Sequence, residues 1–204
     1  MTTLSANRPG IRIPLVLTLL LLLSAFRHTD VEGYTDPSFV DYQFSTVVVR
    51  MPNAPLTFKK QVEERLAKKF RKMKINMLIH KDLFPPTRSW TEEQIQQVYA
   101  ELNVDAGLII MLGSTGGSIT PAMVMYDATT INGSTYGNAT VVSVFRDHAD
   151  FEIALIDAES TQTVWKGRLG TRGSGMLFTG EKSTAKGLVK GLIKEWKSAG
   201  HLPK

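Results

Sequence analysis

Between positions 90 and 113 the chain passes from an amphipathic segment with a polar start to an unbroken apolar run. Thr91 is suited to cap a helix, and Gln94 three residues later completes a capping box. Trp90 and Ile95 occupy the positions of a hydrophobic staple. Ile95, Val98, Tyr99 and Leu102 fall on one helical face, and Asn103 suits the left-handed stop. Ala106-Gly107-Leu108-Ile109-Ile110-Met111-Leu112 then runs to Gly113. A short continuous apolar run predicts a central strand covered on both faces.

The same contrast can be followed outward. Residues 27–42 are polar and carry Gly33, Asp36 and Pro37, which reads as a linker. Residues 44–51 are rich in β-branched side chains and predict a strand. Phe58, Val62, Leu66, Phe70 and Met73 step along one face of a helix over 57–73, with lysines, arginines and glutamates on the other faces. A second strand is predicted over 75–80, and Pro85-Pro86 forbids helix in the loop 81–89. Residues 44–113 thus read β-α-β-α-β.

The second half changes character. Strands are predicted over 122–129, 140–145, 151–157 and 162–169. Polar turns at 131–138, 146–150 and 158–161 join them into an antiparallel meander. Residues 170–180 read as a glycine-rich link. The last element is a helix with Ala185, Leu188, Val189, Leu192, Ile193 and Trp196 in one stripe and Lys182, Lys186, Lys190, Lys194 and Lys197 elsewhere. Gly187 and Gly191 suit a close helix–sheet contact. The fold class that follows is α/β (α+β): one domain over 44–199, a mixed sheet with the last helix packed on it, and a tail at 200–204.

Arg8 and Arg12 precede a short apolar segment over 13–25, the form of a signal peptide cut near Ala25, with an uncleaved anchor as the alternative. Leu23-Ser24-Ala25 matches a lipobox, but Phe26 stands where the acylated cysteine belongs, so a lipid anchor is not expected. The 204 residues contain no cysteine, which removes disulfides, thiol nucleophiles and cysteine metal sites. Loss of residues 1–25 takes away two arginines and no acid, lowering the formal charge from +5 to +3. That mild charge, spread along helices, argues against nucleic-acid binding.

Candidate chemistry is sparse. Gly113-Ser114-Thr115-Gly116-Gly117-Ser118 follows a strand as a phosphate loop would, but lacks the Lys-Ser/Thr ending and a helix start behind it. His28, His80, His148 and His201 show no zinc-pair spacing. His148 with Asp147 and Asp150 is the local acid–imidazole cluster, and no nucleophile accompanies it. Asp105 and Asp157 sit at strand ends, where carboxylates bond nearby backbone. Asn132 and Asn138 begin glycosylation sequons, which matter only in a eukaryotic secreted protein. The reading is a non-enzymatic envelope protein without cofactor or metal. Its partners are other envelope proteins or further copies of itself. The residues expected to meet a partner are Gly113, Ser114, Thr115, Gly116 and Gly117 in a loop, with Val141 and Val142 on a sheet edge. The alternatives are a hydrolase using the His148 turn and a membrane-surface protein using the basic C-terminal helix.

Three pieces carry a resemblance: Phe84-Pro85-Pro86-Thr87, Val104-Asp105-Ala106-Gly107-Leu108-Ile109-Ile110, and the hairpin from Leu155-Ile156-Asp157-Ala158 to Val164-Trp165-Lys166-Gly167. Over residues 44–198 the order of elements resembles a group of bacterial envelope proteins and lipoproteins. That group is similar in architecture to the N-terminal domain of the Tol–Pal translocation protein and the periplasmic domain of the curli secretion channel. The resemblance implies a periplasmic assembly or binding module and carries over no catalytic residue.

Overall fold

The computed structural model describes residues 26–131, 134–175 and 180–203. The leader read at 1–25 lies outside them, as do positions 132–133 and 176–179. Within the described residues the order is β1 (Phe26–Thr35), a 3-10 turn (Pro37–Phe39), β2 (Thr46–Arg50), α1 (Leu56–Lys72), β3 (Asn76–Ile79), α2 (His80–Leu83), α3 (Glu92–Glu101), β4 (Ala106–Ile131), β5 (Ser134–Asp157), β6 (Thr163–Gly175) and α4 (Glu181–Ser198). The strands form one mixed sheet in the order β1-β6-β5-β4-β2-β3. β2 runs parallel to β3 and β4, and the other pairs are antiparallel. The α+β class and the packed C-terminal helix agree with the sequence reading.

α1 forms where the apolar period is four: Phe58, Val62, Leu66 and Phe70 are all buried. Lys69, Arg71 and Lys72 lie in its last turn, where cations favour the helix dipole. α4 buries its whole predicted stripe while its five lysines stay exposed. α1 and α4 lie side by side on one face of the sheet. There Phe44 meets Phe70 and Trp196 edge-on, with ring centroids 6.0 and 5.7 Å apart, and Trp196 meets Trp165 at 5.7 Å. Gly191 is the close contact foreseen, because a Cβ there would come within 2.7 Å of the Thr29 methyl. The stripe that a membrane surface would need is therefore occupied by the sheet.

The opposite face is covered only in part. Val48, Val104 and Ala158 form a small second core there with Leu78, Leu83 and Tyr99. Thr91 and Gln94 make both bonds of the capping box that opens α3, at 3.3 and 3.1 Å, and Asn103 takes a φ of 49° just past its end. No residue of α3 is buried, and Leu102 is 41% exposed. The expectation that β4 is covered on both faces needs correction. Ala106, Leu108 and Ile110 are sealed beneath α1 and α4, but Met111 is 41% exposed, because α3 does not reach that far along the strand.

Several segments read as irregular are strand, among them residues 131 and 134–138 of the turn expected at 131–138. Residues 26–35, taken for a linker, form β1 and pair with β6 along their whole length. The loop expected at 113–118 and the turn expected at 146–150 are the middles of β4 and β5. The glycine-rich link begins as the end of β6. The tail is also packed: His201 and Leu202 are buried.

Candidate functional site

β4 and β5 outrun the sheet. β6 ends at Gly175, which pairs with Phe145, and Phe145 pairs with Ile119. Past that point residues 120–131 and 134–144 pair only with each other, among the described residues. At about 3.3 Å per residue this is up to roughly 40 Å of two-stranded ribbon. Among the described residues, both of its edges carry backbone N–H and C=O groups without a strand partner. Pro121 sits at a register shift in the ribbon, where a residue lacking an N–H is tolerated.

The root of this arm is built by side chains. Asn53 Nδ2 donates to the Leu112 carbonyl at 2.7 Å, and its Oδ1 accepts from the Leu112 N–H at 2.9 Å. A bulge follows between Leu112 and Thr115. Ser114 Oγ donates to Asp150 Oδ2 at 2.6 Å across it. The imidazole of His148 lies over Gly116, its cross-strand partner, in the space that a Cβ would fill. Between this root and the first turns of α1 and α4 is a cleft of about 350 Å³, walled by Phe58, Leu112, Phe151, His148 and Glu181. Asp147 Oδ2 accepts from Gly180 N at 3.1 Å, which places a carboxylate at the start of α4.

At the other end of the sheet, polar groups are spent on holding strands together. Asp105 Oδ2 accepts from Ser45 N, Ser45 Oγ and Thr46 N at 2.7, 2.7 and 2.8 Å. Burial acts to raise its pKa, and these three donors outweigh burial and leave it lowered. Asp157 accepts from Ser160 N and Oγ at 2.8 and 2.6 Å and is lowered in the same way, against burial. Tyr42 donates to the Asp105 carbonyl at 2.5 Å, and its pKa is raised by burial and by the carboxylates of Asp157 and Asp105. The fully buried His201 bonds the Tyr42 carbonyl through Nδ1 and the Thr35 hydroxyl through Nε2, both at 2.9 Å. A carbonyl can only accept, so Nδ1 carries the proton and Nε2 accepts from Thr35 when the ring is neutral. This is a structural histidine that ties the C-terminus to β1.

A smaller crevice, about 130 Å³, lies under α3. Its floor is Gly107 and Ile109, and Arg50, His80, Gln96 and Tyr99 border it. The pKa of His80 is lowered by burial and by the Arg50 guanidinium. That of Tyr99 is raised by burial, against the pull of Arg50.

No protein-family model matches the chain, and no curated protein sequence matches it. Among solved structures it is similar to the PelC dodecamer from Paraburkholderia phytofirmans, at 15% identity and a TM-score of 0.45, covering 87% of this chain and 100% of that one. It is similar to lipoprotein GNA1162 from Neisseria meningitidis, at 12% identity and a TM-score of 0.39, covering 76% and 99%. A minor lipoprotein from Acinetobacter baumannii matches at 10% identity and a TM-score of 0.30, covering 78% and 97%.

The sequence-predicted residues fall at the arm, in a different setting from the one expected. Gly113, Ser114, Thr115, Gly116 and Gly117 lie in strand β4 at the root, and Thr115 and Gly116 border the cleft. Val141 and Val142 pair with Val124 and Met123 in the two-stranded part. The acid–imidazole cluster does not assemble. Asp147 accepts from Gly180 N and Asp150 from Ser114, and no hydrogen bond or ion pair joins His148 to either among the described residues. Among the described residues no group of three or more histidines and carboxylates could hold a metal ion. Sequence reasoning missed the Arg50–His80–Tyr99 grouping, whose members come from three elements far apart in the chain. The available signal was that Arg50 ends β2 and His80 directly follows the end of the parallel strand β3.

Proposed function

We propose that this chain is an exported, non-enzymatic envelope module that assembles with other envelope proteins, or with further copies of itself, through the β4–β5 arm. The observation that carries this reading is the length of ribbon beyond Gly175 with no third strand among the described residues. A lone two-stranded ribbon is marginal in water. Open strand edges are templates for pairing with another chain, and strand addition needs backbone rather than special side chains. Export rests on Arg8, Arg12 and the apolar run over 13–25. The motifs at 104–110 and 155–167 support a place beside the Tol–Pal N-terminal domain and the curli channel domain.

Joining Ile119 to Phe145 through Asn-Gly deletes the arm and keeps the six-stranded body. Sedimentation velocity of the full and shortened chains, with photo-crosslinking from positions 124 and 141 in intact cells, tests the idea. Association and crosslinks specific to the full chain are expected. A shortened chain that folds, shown by its Trp165 and Trp196 emission, and still associates to the same extent would reject the arm as the interface.

A further inference from the structure

The crevice under α3 has no part in the arm. The Asp157 carboxylate at one end of it is held by Ser160, whereas the Arg50 and Tyr99 side chains at the other make no structural hydrogen bond among the described residues. The crevice runs along the sheet face from Asp157 and Thr161 to Arg50 and His80. Those last two stand at the carboxyl ends of β2 and β3, where the connections part: α1 crosses on one face of the sheet and α3 on the other. Crevices at such switch points are where open α/β sheets take ligands. Arg50, at the end of β2, has no carboxylate within ion-pair distance among the described residues. The Tyr99 hydroxyl makes no hydrogen bond to the described protein groups. His80 Nδ1 is sealed from solvent with no hydrogen-bond partner among the described residues. A buried nitrogen left unsatisfied is costly, and such groups in a native protein call for an explanation. The floor is open because residue 107 is glycine: a Cβ there would have no atom within 4 Å.

We propose that this crevice binds a small oxyanion, a carboxylate or a phosphate group, on the fork of donors of Arg50, with the Tyr99 hydroxyl as a second donor and His80 beside it. The guanidinium fork matches either anion in two-point geometry, and neither needs a metal. Bringing in the anion supplies the countercharge that Arg50 lacks and removes the repulsion that disfavours a proton on His80. A volume of about 130 Å³ admits one such group and no large molecule around it.

The test is NMR titration of the full chain with sodium phosphate and, separately, sodium acetate at constant ionic strength, following the His80 ring protons. A saturable shift and a higher His80 pKa in the presence of the anion are expected. Arg50→Gln is expected to weaken binding about tenfold, with Arg50→Lys recovering part of it. Gly107→Val, which fills the floor and leaves every charge in place, is expected to abolish it. A response to phosphate alone or to acetate alone assigns the anion, and either upholds the site. No saturable shift with either anion, or equal binding by wild type, Arg50→Gln and Gly107→Val, overturns it. Should both variants fail to fold, the wild-type His80 pKa decides: unchanged by either anion, it overturns the proposal.

Discussion

Asn53 and Leu112 are bonded in both directions by one side-chain amide, at 2.7 and 2.9 Å. The β2–β4 ladder ends at the pair Arg50–Ile109, and Asn53 replaces the next backbone partner just before the bulge from which the arm departs. Asn53→Ala leaves both groups of Leu112 to water. Because the site is exposed, the expected cost is about 1–2 kcal/mol. The specific readout is hydrogen exchange at the Leu112 amide, which should speed up more than amides of α1. If it exchanges no faster, Asn53 does not hold the root.

Trp165 sits on two glycines, and they predict different behaviour. The three atoms nearest a Cβ at Gly33 all belong to the indole, whereas a Cβ at Gly167 would also come within 2.7 Å of the Glu32 carbonyl. Either alanine overpacks the core between β1, β6 and α4, at an expected cost of about 1–3 kcal/mol. Trp165→Leu removes the indole. In that background Gly33→Ala should become nearly silent, while Gly167→Ala should keep part of its cost. Double-mutant cycles in urea measure both. Equal coupling of the two glycines to Trp165 would show that the Glu32 carbonyl moves aside freely.

These glycines also explain why β1 was hard to read. Its inward positions are Thr29, Val31, Gly33 and Thr35, so a strand that packs under α4 shows one strongly apolar residue on its inner face. The indole that fills the space above Gly33 belongs to a residue 132 positions away, at Trp165. β4 and β5 were misread for a related reason. Gly113–Ser118 and Asp147–Asp150 have turn chemistry, but cross-strand pairing over more than twenty residues overrode local preference. Where local signals and packing agreed, the sequence was legible. The Thr91–Gln94 box, the α1 period and the α4 stripe each needed nothing beyond their own segment. The Arg50 crevice was illegible because it is a product of topology, which sets β2, β3 and α3 side by side.

Stability should fall on acidification in two stages, for which different residues are responsible. His80 has a lowered pKa, from burial and from Arg50, so the unfolded chain takes up that proton first. Its contribution is complete above the ordinary value of 6.5 and is lost as pH falls below it. Asp105 and Asp157 are lowered below 3.8, because the donors from Ser45, Thr46 and Ser160 outweigh burial. There too the unfolded state binds protons first. Their contribution is complete above 3.8 and lost as pH falls through the lower folded values. Urea midpoints measured from neutral pH into strong acid should show both stages. His80→Gln should erase the upper stage alone. Asp105→Asn should lower stability at neutral pH, where it trades a carboxylate with three donors for an amide, and should converge with wild type in strong acid. Parallel curves for Asp105→Asn and wild type across the acid range would mean that the ionised carboxylate does not lock β2 to the start of β4.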